Sequence, residues 1–362
     1  AASLIAIFLC LLLAPHIIQA KNEEFLGGPP PGEKPLEVRI GFNLINLTDV
    51  SEKDETIDFE GAIYLNWKDP RLAYDPAEVG LSEYTPGDYS QAPRRIYQGD
   101  FRVKEIFNGW RPHVVIPNGV GDRVKTNLAI SIWPDGMVEY SETFYVKVET
   151  PMNLRRFPFD SQELEVFFHP FIYMRDEVVL IPDDRLARTW NQNMGIAQWF
   201  RGPVLMAERP VEIAYFDESK EIISEFVVTI HLDRLPLHVL TSIIFPMIVL
   251  VSLTWSVFWM DNESVSNRIN ITFIGILSVV AYYLVVQESI PKINYLTHID
   301  GFIIATFLIL AAGVVLTVVM ERLEQRGLKE IGMKVDRTCR WAFPLGYAGI
   351  SFIVYLVFFF FE

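Results

Sequence analysis

The sequence predicts a β + α membrane protein: an extracellular antiparallel β-sandwich, Ig-like in kind, followed by four transmembrane helices. Three observations predict it. From Leu36 to Asp233 no long apolar run occurs, and short alternating stretches are punctuated by Pro, Gly, Asn and Asp clusters, the pattern of an antiparallel sandwich. At Pro236 the composition changes abruptly, and the apolar runs that follow each approach the roughly 20 helical residues needed to cross a bilayer. The connection after the third run carries Arg322, Arg326, Lys329, Lys334, Arg337 and Arg340, as the positive-inside rule wants of a cytoplasmic segment.

Composition narrows the function. The chain of 362 residues is 51% hydrophobic and has a formal net charge of −14, and its mean hydropathy of +0.24 is high for a soluble protein. The acidic balance argues against a nucleic-acid partner and predicts a soluble portion that concentrates cations. The two cysteines, Cys10 and Cys339, lie too far apart in role for an intrachain disulfide to be expected. No Gly-x-Ser-x-Gly, His-Glu-x-x-His or paired-Cys spacing occurs, so the sequence calls for no enzyme activity, cofactor or metal.

In order along the chain, residues 1–20 read as a secretory signal peptide, which places the next segment outside. Residues 21–35 (KNEEFLGGPPPGEKP) are a flexible tether. Residues 36–235 form the sandwich, with strands expected at Leu36–Leu47, Ile57–Trp67, Val114–Val115, Thr126–Trp133, Met137–Glu149, Glu163–Phe168, Glu177–Ile181, Val211–Phe216 and Ile222–Leu232. A short helix is expected at Asp75–Leu81. Residues 236–362 form the membrane domain, with spans at 236–260, 268–288, 299–320 and 340–361. The connection Glu288–His298 then lies outside, and 321–340 lies inside.

The second span differs from the other three. Asn270, Ile274, Leu277, Ala281, Leu284 and Glu288 follow at steps of four, three, four, three and four, so a helix puts all of them on one stripe. The stripe opens with an amide, runs through apolar residues and ends in a carboxylate. A helix lining a narrow water path has that pattern, with polar mouths and an apolar middle that stops ions by dewetting. An ordinary packed helix with its polar ends among headgroups is the other reading.

Several strings, in order, resemble the pentameric ligand-gated ion channel (Cys-loop receptor) superfamily. Trp67-Lys-Asp69-Pro-Arg71-Leu72 is similar to the Trp-x-Asp-x-Arg-Leu strand of that family, and Trp133-Pro134-Asp135 to its first principal-side binding loop. Phe157-Pro158-Phe159-Asp160 resembles the loop that sits on the membrane. Arg234 with Pro246, Pro291 with Tyr295-Leu-Thr297, and Arg340-Trp-Ala-Phe343-Pro344-Leu-Gly346 resemble the first-span entry, the second-to-third connection and the start of the fourth span. The paired cysteines of animal members and their large cytoplasmic insert are missing. The chain therefore resembles the prokaryotic branch, and most of all the Erwinia-type pattern, through Ser256-Val-Phe-Trp259, Val279-Val-Ala-Tyr282 and Cys339-Arg340.

The resemblance implies a homopentamer in a cell membrane, in the bacterial inner membrane for this branch, surrounded by lipid, opened by a small-molecule agonist and passing monovalent cations. Its pore would be lined by Asn270, Ile274, Leu277, Ala281, Leu284 and Glu288. Ile274 stands where the family usually has Ser or Thr, which lengthens the dry zone. The Pro-Ala-Arg of anion members is Ser266-Asn267-Arg268 here, and a ring of Glu288 would gather cations; an anion-selective member is the alternative. The agonist site is implied at His169, Phe171 and Tyr173, at Tyr215 and Phe226 around a flap at Asp217–Glu221, and at Tyr64 on the facing strand. His169 replaces a Glu of the Erwinia-type pattern, so it either confers pH sensitivity or is a structural histidine. Coupling is implied through Phe159, Asp160, Arg234, Pro291 and Tyr295. A non-conducting membrane-anchored sensor or enzyme is the reading outside this class.

Overall fold

In a computed structural model the described residues are 27–30, 32, 35–81, 85–87, 89–90, 94–98, 107, 109–186, 198–214, 220–260, 265–287 and 293–360. The segment read as a signal peptide therefore lies outside them, as do Tyr215, Glu288 and Pro291.

Ten strands build two sheets. They are β1 (Leu36–Ser51), β2 (Thr56–Lys68), β3 (Arg95–Gln98), β4 (Val114–Val115), β5 (Gly119–Ile132), β6 (Met137–Glu149), β7 (Ser161–Pro170), β8 (Val178–Pro182), β9 (Trp199–Ala214) and β10 (Lys220–Arg234). One sheet has the order β3-β5-β6-β2-β1-β8 and the other β4-β7-β10-β9. Pairing is antiparallel except where β8 runs parallel to β1, with Leu36 opposite Val178. The alternation seen in sequence is the alternation of burial: β6 runs Val138, Tyr140, Glu142, Phe144, Val146, Val148 on its buried side, as a pleat of period two requires. The expected helix at Asp75–Leu81 is a single 3-10 turn, Pro76–Val79, capped by the Asp75 carboxylate on Ala77 N.

Between the sheets sits a chain of phenylalanine rings. Phe42 meets Phe59 at 6.0 Å and Phe168 at 5.8 Å. Phe144 meets Phe59 at 6.3 Å and Phe168 at 6.4 Å, and Phe168 meets Phe226 at 5.8 Å. The tilted and edge-on angles are those aromatic quadrupoles favour. Asp69, which is fully buried, accepts hydrogen bonds from Arg71 N, Nε and Nη2 at 3.0, 2.9 and 2.8 Å; the Asp-x-Arg part of the string thus closes a turn at one end of β2.

Four long helices follow: α1 (Leu237–Trp259), α2 (Val265–Gln287), α3 (His298–Gln325) and α4 (Lys329–Phe360). All four contain a stretch long and apolar enough to cross a membrane. Pro246 has no N–H to give, and the turn before it widens: Phe245 N bonds Leu240 O, five residues back, the π-type adjustment common near such breaks. Helix α4 begins well before the span read at 340–361, and only a short turn at 326–328 separates it from α3. The reason is that hydropathy marks where a helix enters lipid, while helical propensity and local ion pairs decide where it starts.

Candidate ion pathway, agonist surface and domain junction

Helix α2 has two unlike faces. Thr272, Gly275, Val279 and Val286 are buried against the other helices. Asn270, Ile274, Leu277, Ala281 and Leu284 are all exposed, with Ile274 64%, Leu277 69% and Leu284 58% accessible. The buried face is held tightly: a Cβ on Gly275 would lie 1.9 Å from Thr254 Cγ2 of α1. The stripe picked from spacing is therefore the side of α2 that its own protomer leaves uncovered. Arg268 belongs to the opposite face. Its guanidinium reaches Asp336 of α4 at 3.2 Å and donates to Met260 O.

The residues expected at an agonist site separate into groups. His169 lies on the outward face of β7, and its Nε2 is 2.5 Å from Glu225 Oε2. The other oxygen of Glu225 accepts from Arg209 Nε at 2.6 Å, and Arg209 lies over the Phe167 ring at 5.1 Å. Phe171 is exposed beside this cluster and makes a ring contact with His113 at 5.5 Å. The Tyr173 hydroxyl accepts from Trp110 Nε1 at 2.9 Å. Tyr64 is half-buried on β2, in the other sheet. Phe226 does not reach this surface: it is fully enclosed in the ring core. The reason is the period of two, which points Phe226 inward and its neighbour Glu225 outward.

Spacing missed Glu225, Arg209 and Trp110. Glu225 could have been found by pairing it with Arg209, its direct partner in the β9–β10 ladder. Trp110 was passed over for Trp133. Trp133-Pro134-Asp135 is instead the turn joining β5 and β6, with Gly136 at φ 82° and its position for a Cβ 2.5 Å from Asp69 O. Trp133 is buried against Tyr89 and Arg94, away from Tyr173.

Strands β5 and β6 carry a cluster that sequence reading did not single out. Glu142 is buried beneath Arg123 at 2.6 Å and Lys125 at 3.2 Å, and Tyr140 donates to it. Burial pushes the Lys125 ammonium down and, with the Glu142 charge, pushes the Tyr140 phenol up. Burial together with Arg111, Lys125 and Arg123 pushes the His113 imidazole down.

The junction brings most of the coupling residues together. Arg234 donates to Asp160 through Nε at 2.8 Å and to Glu52 through Nη1 at 2.5 Å, and it lies between the Phe157 and Trp199 rings at 4.7 and 4.1 Å. Asp160 is also held by Gln162 Nε2 at 2.6 Å. The Tyr295 hydroxyl accepts from Leu154 N at 3.1 Å, and His298 N donates to Arg155 O at 2.8 Å. Phe159 contacts His298 of α3 at 5.8 Å and Phe359 of α4 at 6.1 Å. One loop, 150–160, thus touches the base of the sandwich, the segment before α3 and the end of α4.

Comparison with known proteins agrees with this geometry. Residues 27–236 match the neurotransmitter-gated ion-channel ligand binding domain, and residues 243–329 match the neurotransmitter-gated ion-channel transmembrane region. The chain is 26% identical to a proton-gated ion channel of Gloeobacter violaceus, over 93% of this chain and 88% of that protein. It is 24% identical to the gamma-aminobutyric acid receptor subunit rho-1 of Mus musculus, over 91% of this chain and 66% of that one, and to the gamma-aminobutyric acid receptor subunit beta of Lymnaea stagnalis, over 86% and 62%. The animal relatives are longer, and the chain spans about two thirds of each. The chain is a multi-pass membrane protein that belongs to the neurotransmitter-gated ion-channel family, the pentameric Cys-loop superfamily of ligand-gated channels.

Proposed function

We propose that five copies of this chain form a cation-selective channel in a bacterial inner membrane, opened by a small-molecule agonist between neighbouring sandwiches. The observation that carries the reading is the bare face of α2. Leu277 and Leu284 alone would suit lipid, but Asn270 at one end of the same stripe would not, because an amide in hydrocarbon needs a partner. A shared water path satisfies both. A ring of five Ile274 and a ring of five Leu277 then make a constriction too dry for an ion to keep its hydration shell. Cation selection is supported by Arg268, the cation nearest the inner mouth, which is turned away from the stripe and paired with Asp336. The polar group that the stripe carries among the described residues is the Asn270 amide, and the sequence continues the same stripe to the acidic Glu288.

Modulation by pH follows from His169. It shares the buried Glu225 carboxylate with Arg209, so gaining a proton changes the charge of a cluster that ties three strands together. The agonist then meets Phe171 and Tyr173 on one subunit and Tyr64 on the next, with Asp160, Arg234 and Tyr295 passing the shift to α2 and α3.

The test is gated current through membranes holding the purified protein, with pH stepped between about 5 and 9, the range of histidine titration, in asymmetric NaCl. Reversal towards the sodium potential is the expected result. Reversal towards the chloride potential would overturn the cation assignment.

A further inference from the structure

Arg268 and Asp336 form a contact that joins the pore helix to the outermost helix. Arg268 lies two residues before Asn270, about 200° around the helix at 3.6 residues per turn. It is in register with Thr272, Gly275 and Val279 on the buried face of α2. Its side chain and that of Asp336 are each 14% accessible, and Nη1 meets Asp336 Oδ1 at 3.2 Å. Nη2 donates to Met260 O at the end of α1. The other Asp336 oxygen lies 3.5 Å from Arg340 Nη2, and Arg340 Nε donates to Phe258 O at 2.8 Å. One carboxylate on α4 therefore stands between two guanidinium groups beside the inner mouth, where a membrane-embedded wall screens charge poorly.

We propose that Asp336 is the counter-charge that keeps Arg268 off the ion path, which makes a residue of the outermost helix a determinant of charge selectivity. This deepens the cation-channel reading and rests on its assignment of the α2 stripe to the pore. With Asp336 present, the Arg268 guanidinium has a carboxylate partner, shared with Arg340, and its side chain is directed outward. Without it, five uncompensated guanidinium groups surround the inner mouth, repel cations and attract anions. Among the described residues Arg268 then retains the Met260 carbonyl, an uncharged partner.

The test measures the potential at the inner mouth directly, in the full-length protein reconstituted in vesicles. Asn270→Cys places a thiol on the stripe, and its modification rates by a cationic and an anionic methanethiosulfonate are compared by mass shift, with the unsubstituted chain as the control for Cys339. This readout needs no agonist and does not depend on which ion the open channel prefers. Adding Asp336→Asn should lower the cationic-to-anionic rate ratio several-fold. Adding Arg268→Gln as well should restore it, because the charge responsible has gone. An unchanged ratio in Asp336→Asn would overturn the proposal. So would a ratio that stays low in the double variant, since Arg340 or a rearranged helix would then be the cause. A thiol at 270 that neither reagent modifies while thiols exposed elsewhere react would overturn the assignment of the stripe to a water path, and the proposal with it. Where current is available, the sodium-to-chloride permeability ratio should fall in Asp336→Asn and recover in the double variant. Chloride selectivity of the unsubstituted chain would remove the cation reading while leaving the thiol comparison to decide the role of Asp336.

Discussion

Arg234 and Asp160 meet at 2.8 Å with both side chains only 2% accessible, at the one point where the last strand of the sandwich becomes the first membrane helix. Removing Arg234 strands the buried Asp160 charge at a cost of about 3–5 kcal/mol, far more than the pair contributes over an apolar replacement, whereas removing Asp160 leaves Arg234 its Glu52 partner. Arg234→Gln should therefore lower the melting temperature of the purified assembly sharply, and Asp160→Asn should lower it less. The double variant should recover part of the loss, because no charge is then left unpaired apart from Glu52. Additive losses in the double variant would show that the two residues act separately.

Leu277 sits 69% accessible in the middle of the uncovered stripe. Leu277→Ser should raise resting current and lower the agonist concentration needed for opening, because a hydroxyl wets the constriction. Its protein stability should change little, since the side chain is largely uncovered in its own protomer. A silent, well-folded Leu277→Ser protein would count against the gate.

His169 and Glu225 share a hydrogen bond of 2.5 Å. His169→Gln keeps a donor for the carboxylate but cannot titrate. It should preserve agonist response while flattening any pH dependence of gating. Glu225→Gln should also flatten it and should in addition free Arg209. Concentration–response curves at several pH values separate the two outcomes, and pH dependence retained in both variants would exclude this cluster.

Asp183 ties Arg185 to the end of β8 and reaches Arg39 of β1 at 3.3 Å. The hydrogen bond from Arg185 leads in lowering its carboxyl to about 2. A carboxyl with a depressed folded value contributes stability above its unfolded value, near 4, and loses it as pH falls towards the folded one. The melting temperature should decline between about pH 4 and 2, and Asp183→Asn should flatten part of that decline while lowering stability at pH 7.

Much of the architecture is legible because each element carries its own period. The strands alternate by two, the membrane runs have bilayer length, and the α2 stripe repeats by three and four; no distant contact is needed to see them. The candidate site is legible only where a local pattern coincides with a structural feature, as for the exposed face from Asn270 to Leu284 and for Asp160 in its Phe-Pro-Phe-Asp string. What the sequence by itself determined is the order of a sandwich and four spans, the face of the second span that its own protomer leaves bare, and the acidic character of the whole. Only the tertiary structure decided that Glu225 rather than Phe226 meets His169, that Trp110 rather than Trp133 meets Tyr173, and that Asp336 meets Arg268. Each of these is a contact between elements separated in the chain. Which of two adjacent strand residues faces outward, and which helix lies behind another, depends on how sheets and helices pack and not on any spacing within them.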